Sequence, residues 1–520
     1  MLTALALFAA SGSLNVIAKR NMSATTLPQA EYVVRADQPK GTISPEIYGH
    51  FIEHLGSCIY DGIWVGEDSP IPNIRGLRKD VVDALKELEI PVLRWPGGCF
   101  ADQYNWKDGI GPREQRPKRI NNFWGHVIET NAFGTHEFMD LCELTGAKPY
   151  IAANVGSGTP REMQEWLEYL TFAGDSEWAN LRRKNGRDKP WKVPYWGIGN
   201  ESWGCGGNMT PEYYSDVYKQ FSTYAFNYSG NQLVKIACGA SDSNYNWTEV
   251  LLKNAGSHMQ GISLHYYTLP TGDWGKKGLA TGFDEKGWFD TLRRTRAMDE
   301  FLTKHSEVIA KYDRRGRVGL IVDEWGCWYD EDPNFKIGAL GQQNTMRDAL
   351  VAAINLNIFN RHCDRVKMAN IAQSINVLQS VLLTKGPVTV KTPTYHVFAM
   401  YKPHMGAKLL PVEGTAPSHG YQDGSIPALD VCASQPSPGK AFITLANADY
   451  SKPASVNIRM TGVNGGSIRG LVLEGAKPDA MNTFDGPDVL KPKTLVGAKL
   501  ENSVLSLTVP AASVVSVQIG

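Results

Sequence analysis

Two glutamates in this 520-residue chain sit in matching surroundings. Glu201 closes the run Trp196-Gly197-Ile198-Gly199-Asn200-Glu201, with Ser202-Trp203 after it, and Glu324 lies in Asp323-Glu324-Trp325-Gly326. Each follows a short β-rich run and has tryptophan close by. One glutamate at a strand end ordinarily serves as a cap or an ion-pair partner. A matched pair can divide proton work: one carboxyl protonates a leaving oxygen while the other attacks an anomeric carbon or activates water. The residues alone do not say which does which.

Such a pair needs a scaffold that brings distant chain positions to one rim. Eight short runs end in polar or glycine residues: 47–53, 91–98, 149–156, 195–201, 235–241, 261–268, 318–326 and 368–378. They average about 41 residues per unit, a length that suits βα units in barrels with inserted loops. Helices are predicted between them: after Asp80 on Val81, Val82, Leu85 and Leu88, then over 161–172, 211–226, 288–312 and 343–360. The fold class is therefore α/β, a (β/α)8 barrel. An open doubly wound sheet would alternate similarly, but Gly197–Asn200 lacks the third glycine of its phosphate fingerprint.

A barrel of this type works at the C-terminal ends of its strands. Reading those ends collects Glu53, Arg94, Asn154, Asn200, Glu201, His265 with Tyr266 and Tyr267, Glu324 and Gln373. Glu201 and Glu324 are 123 residues apart, which places them on strands four and seven. Arg94 below the pocket would keep a carboxylate ionised or simply make a structural ion pair, and the two readings are compatible. Asn200 suits a sugar hydroxyl or a turn. His265 alone suits a core hydrogen bond as well as catalysis. Trp95, Trp106, Trp124, Trp203, Trp325 and Trp328 could stack on sugar rings or fill the core. The segment Gly49–His54 is not HExxH, and Gly204–Gly207 lacks the Lys-Ser/Thr of a phosphate loop, so neither a metal nor a phosphate cofactor is expected.

Lys and Arg number 53 and balance 53 Asp and Glu, which argues against a nucleic-acid or anionic-membrane partner. The eight cysteines are scattered, without CxxC, and read as buried free thiols. The apolar start Met1–Ala10 resembles the centre of a signal peptide, although Lys19-Arg20 follow rather than precede it. Export to the periplasm or medium is expected if it is one, and a cytoplasmic location otherwise. After about Thr394 short alternating runs separated by turn signals read as an antiparallel β-sandwich, and Tyr32–Ala36 is one further strand that could join it. The expected layout is a leader over 1–30, a catalytic barrel over 44–394, and a sandwich stitched from 31–43 and 395–520.

These residues resemble glycoside hydrolase family 51, the α-L-arabinofuranosidases. The likeness runs from about Tyr32 to the C-terminus. It rests on Ile47–Gly56 (IYGHFIEHLG), Arg94–Gly98 (RWPGG), Asn105–Pro112 (NWKDGIGP), Gly199-Asn200-Glu201 and Asp323-Glu324-Trp325. The resemblance implies a barrel with a C-terminal jelly-roll-like sandwich and a retaining, exo-acting enzyme without cofactor. Its expected substrates are arabinoxylan, arabinan and arabino-oligosaccharides. It further implies Glu201 as acid/base, Glu324 as nucleophile, Arg94 as its support, and Glu53, Asn200 and Gln373 as sugar contacts. Tyr267 matches the tyrosine near the nucleophile better than Tyr266. Cys99 departs from the family's usual Asn and weakens the sugar contact expected there, because a thiol bonds poorly. A homo-oligomer, a hexamer, is also implied. A β-1,4-endoglucanase or β-xylosidase on the same scaffold is the alternative activity, and a non-catalytic sugar-binding protein the alternative outside enzymes.

Overall fold

The computed structural model describes residues 27–422, 424–463 and 466–520, so the expected leader lies largely outside the described residues. Eight parallel strands close a barrel in sequence order: β1 (Gly49–Phe51), β2 (Val92–Trp95), β3 (Lys148–Ala153), β4 (Tyr195–Ile198), β5 (Val234–Ser241), β6 (Gly261–Thr268), β7 (Gly319–Cys327) and β8 (Val366–Ile371). Every sequence-predicted run overlaps one of them. Inside, Val92, Tyr150, Ile236, Ile321 and Met368 form an apolar floor. Above it the Arg94 guanidinium lies over the Phe51 ring, 4.5 Å from its centroid. The site is thus built on a filled core, and a buried cation marks its lower boundary.

Helices fill the intervals between strands. The first, Lys79–Leu88, buries Val81, Val82, Leu85 and Leu88 on one face, as their spacing predicts. The predicted single helix over 288–312 is two, Glu285–Thr295 and Ala297–Tyr312. The break falls at Arg296, whose guanidinium reaches the Asp430 carboxylate at 2.9 Å. Thr135–Thr145, Glu177–Lys184, Tyr245–Ala255 and Pro393–Tyr401 are helices the periodicity reading passed over.

Two further sheets carry the C-terminal part. One orders Lys408–Leu410, Leu429–Gln435, Ala441–Asn447, Ser513–Ile519, Ile468–Leu473 and Lys493–Thr494, all antiparallel. In the other, Gln29–Arg35 pairs in parallel with Ala454–Thr461 and antiparallel with Val412–Thr415. Alternating residues such as Val456, Ile458, Leu505 and Leu507 bury between the sheets. Helix Met346–Arg361 is buried almost all round because it is wedged between barrel and sheet. There Asp430 accepts from Asn357 Nδ2 at 3.0 Å and Arg361 Nη1 at 2.9 Å. Burial alone would raise its pKa, but Arg361 and Arg296 outweigh that and hold it below the usual carboxylate value.

The cysteine expectation needs correction. Cys58, Cys142, Cys238, Cys327, Cys363 and Cys432 are buried free thiols, but Cys99 and Cys205 form a disulfide across 106 residues of chain. Each sits just beyond a barrel strand, Cys99 after β2 and Cys205 after β4. The loops after β2 and β4 meet on one rim past the end of β3 and bring them together, a closeness that sequence spacing cannot reveal.

Candidate active site

Glu324 lies in β7, flanked on either side by neighbours that grip it. Arg94 Nη1 donates to its Oε1 at 2.8 Å, and the Tyr267 hydroxyl donates to its Oε2 at 2.7 Å. Tyr266, the next residue back along β6, points away and donates to the carbonyl of Arg294. The register between β6 and β7 shifts after Ser263 and sets His265 directly opposite Glu324. Such irregularities re-aim side chains beside active sites.

Glu201 follows β4 in a turn that begins with Gly199 at φ +92°, and Glu201 itself holds φ +39°. A non-glycine residue in this region is strained, and the turn aims its side chain across the barrel mouth. Its Oε1 lies 2.8 Å from His265 Nδ1. The other ring nitrogen of His265 lies 3.1 Å from Asp323 Oδ1, and Asp323 Oδ2 accepts from the Tyr150 hydroxyl at 2.7 Å. A continuous chain therefore runs Glu201–His265–Asp323–Tyr150. One carboxylate oxygen of Glu201, one of Glu324 and a ring nitrogen of His265 all lie within 4.8 Å of one another.

Opposite charges in this cluster hold one another in place. Burial would depress the His265 pKa, but Glu324, Asp323 and Glu201 outweigh it and raise it to about 10. Burial would raise Asp323, and Arg94 with His265 overrides that and lowers it. Arg94 is likewise held more firmly charged by Asp323 and Glu324 against the cost of its burial. Its Nη2 donates to Asn200 Oδ1 at 2.6 Å. That bond turns the Asn200 amide nitrogen toward Cys205 Sγ, 3.9 Å away.

Glu53 lies two residues beyond β1 and completes the floor. Its Oε1 accepts from the Phe100 backbone N–H and from Trp124 Nε1, both at 3.0 Å, and its Oε2 from Gln373 Nε2 at 3.0 Å. Burial first, and then the charge of Glu324, push its pKa up to about 7. Gly98 explains part of the RWPGG motif. A Cβ there would come within 3.1 Å of both Glu53 oxygens and 3.3 Å of Glu324 Oε1, so any larger residue would have to push these acids aside.

Eight of the sequence-derived residues, Glu53, Arg94, Asn200, Glu201, His265, Tyr267, Glu324 and Gln373, meet at this one mouth. Asn154 does not join them. Its side chain accepts from the N–H groups of Ser157 and Gly158, both at 2.9 Å, and donates to the Tyr104 carbonyl, which is turn chemistry. Cys99 reaches the rim, but as half of a disulfide and not as a thiol that could contact a sugar. Among the tryptophans, Trp95, Trp106 and Trp325 are core. Trp124 holds Glu53, Trp203 donates to the Gly239 carbonyl, and Trp328 packs edge-on against Tyr267. Asp323, Tyr150 and Cys205 are members that the strand-end reading missed. Asp323 adjoins Glu324 in a quoted motif, but its partners come from β3 and β6 and leave no local trace.

An eight-stranded parallel barrel whose mouth sets two carboxyl groups against each other over a buried arginine is a glycoside hydrolase scaffold. The comparisons agree. Residues 84–285 match the family description "Alpha-L-arabinofuranosidase 1 domain", and residues 323–513 match "Alpha-L-arabinofuranosidase C-terminal domain". An intracellular exo-α-L-arabinofuranosidase of Bacteroides ovatus is 49% identical over 500 residues, covering 96% of this chain and 97% of its own. The crystal structure of a GH51 arabinofuranosidase from Xanthomonas axonopodis pv. citri superposes with a TM-score of 0.93 at 47% identity, over 95% of this chain and all of that one. The α-L-arabinofuranosidase of Thermotoga maritima, solved as an arabinose complex, gives 0.83 at 32% identity, over 94% of this chain and all of that one. The chain belongs to glycoside hydrolase family 51, the α-L-arabinofuranosidases, and its activity is that of an exo-α-L-arabinofuranosidase.

Proposed function

We propose that the enzyme releases terminal α-L-arabinofuranosyl groups from arabinoxylan, arabinan and arabino-oligosaccharides by double displacement, with retention at the anomeric carbon. The observation that carries this reading is the sub-4.8 Å approach of Glu201 and Glu324 carboxylate oxygens. Retaining enzymes hold their carboxyl groups about 5–5.5 Å apart, whereas inverting ones leave about 6.5–9.5 Å for a water between them.

The surroundings support a division of roles. Glu324 receives two hydrogen bonds, one of them from a guanidinium, which fix its carboxylate in the place a nucleophile needs. Glu201 is the more accessible acid, with 19% of its side chain exposed against 7% for Glu324, and must meet both leaving group and water. In the first step Glu324 attacks C1 as Glu201 delivers its proton to the leaving oxygen. In the second, ionised Glu201 takes a proton from water, which cleaves the arabinosyl ester. His265, anchored by Asp323, shares its Nδ1 pole with Glu201 and steadies the carboxyl group through both proton states. Glu53, Asn200 and Gln373 bind furanose hydroxyls on this reading, and a homo-oligomer is expected in solution.

Early-time proton NMR of the sugar released from an aryl α-L-arabinofuranoside tests the mechanism. The α-anomer is expected first, and initial release of the β-anomer would overturn retention. Parallel aryl β-D-xyloside and β-D-glucoside assays test the sugar preference, with turnover expected mainly on the arabinofuranoside.

A further inference from the structure

Cys99 and Cys205 differ from the other six cysteines in both state and place. The six are buried, and burial pushes thiols such as Cys58 and Cys238 up to about 12, which keeps them inert. The bridged pair is only partly buried at the barrel mouth, with its Cα atoms 5.5 Å apart. Beside it, Glu201 Oε2 lies 3.5 Å from Cys205 Sγ, while His265 occupies the other oxygen of that carboxylate. Both sulfurs and a Glu201 oxygen lie within 4.8 Å of one another.

We propose that Cys99 and Cys205, once their bridge is reduced, form with Glu201 an inhibitory binding site for a thiophilic divalent cation of the zinc(II) type, and that the intact bridge keeps this site closed. Tetrahedral zinc with bonds of about 2.3 Å to sulfur and 2.0–2.2 Å to oxygen requires S···O edges near 3.6 Å and an S···S edge near 3.8 Å. The Cys205 S···O edge is already present at 3.5 Å, and Cys99 Sγ lies within 4.8 Å of the same carboxylate. The S···S edge needs only that the two sulfurs part from bonding distance by side-chain rotation, with the loops left where they are. The Asn200 amide beside Cys205 can donate to the thiolate, the outer support that metal thiolates commonly receive. Water takes the fourth position.

Opening the site is a balanced two-electron step. A phosphine reductant breaks the S–S bond and is oxidised to its phosphine oxide, with water supplying the oxygen and the protons of the two new thiols. The cation then displaces those two thiol protons. A cation on Glu201 blocks both proton transfer to the leaving group and activation of water. The inhibition part of the proposal rests on the acid/base reading of Glu201, whereas the binding part does not.

The test uses the full chain, oxidised or reduced with a phosphine and then desalted under argon, titrated with cobalt(II) and zinc(II). Reduced enzyme is expected to bind one cobalt with a thiolate-to-metal charge-transfer band in the near ultraviolet. Micromolar zinc should lower its aryl arabinofuranosidase rate at least about tenfold, reversibly with a chelator. Oxidised enzyme should show neither effect, and Cys205→Ser under reducing conditions should lose the band and weaken zinc inhibition at least about tenfold relative to its own metal-free rate. Circular dichroism checks that the reduced protein stays folded. Loss of the fold on reduction, absence of the band from folded reduced enzyme, or equal zinc inhibition of the oxidised form would each overturn the proposal. A band without inhibition would uphold the cation site and overturn its inhibitory role, while the leaving-group dependence of Glu201→Ala separately decides the acid/base reading.

Discussion

Arg94 Nη1 stands 2.8 Å from Glu324 Oε1 with both groups almost fully buried, so the Glu324 carboxylate rests on a cation fixed in the barrel interior. A buried pair of this kind specifies position more than it adds stability, because each ion loses hydration on burial. On the proposed mechanism that position is the one from which Glu324 attacks. Replacing Glu324 by Ala is expected to lower turnover of an aryl arabinofuranoside at least about a thousandfold. Azide should restore part of it through a β-arabinosyl azide product. Wild-type rates in the variant would remove Glu324 from the mechanism.

Glu201→Ala should divide substrates by leaving group. Activated aryl arabinofuranosides need little protonation and should react comparatively well in the first step, whereas arabino-oligosaccharides should lose about 10²–10⁴-fold, the usual worth of general acid catalysis. Comparing kcat/KM on the two classes measures this. Equal losses on both would contradict an acid role.

Tyr267→Phe removes one hydrogen bond to the charged Glu324 and leaves the ring against Trp328. A bond to a charged group is worth about 1.5–3 kcal/mol, which corresponds to roughly 10–150-fold in kcat. The thermal midpoint should move little. A large drop in stability at unchanged kcat would instead make Tyr267 structural.

Glu53 supplies a pH signature. Its pKa rises from 4.5 to about 7 on folding. Between these values the native protein holds a proton that the unfolded chain has released, so stability is lost as pH rises through that window. The span of about 2.5 pH units sets an upper scale on the order of 3 kcal/mol. Glu53→Gln cannot titrate, so its unfolding free energy should fall less than that of the wild type between pH 4.5 and 7. Parallel urea titrations at the two pH values read the difference, and an identical fall in both proteins would contradict the raised pKa.

The barrel was legible in the chain because its signals are local. Each strand is a run of a few β-forming residues, and the units average about 41 residues, so counting the runs places Glu201 and Glu324 on strands four and seven without knowledge of any contact. Reading the strand ends also collects Glu53, Arg94 and Gln373, which lie in or just beyond strands one, two and eight. Asn154 shows the limit of that method: it too lies just past a strand end, yet its amide is consumed by the turn it closes.

What the tertiary structure alone decided depends on packing between segments far apart in sequence. The alternating pattern of Gln29–Arg35 marks a strand, but its parallel pairing with Ala454–Thr461 depends on where the two chain ends meet. Asp323 reads as a neighbour of Glu324 until His265 from β6 and Tyr150 from β3 converge on it. Cys99 and Cys205 read as thiols until the rim brings their Cα atoms to 5.5 Å. Side-chain type and period are properties of the chain itself, whereas distance between residues 106 positions apart is a property only of the closed barrel.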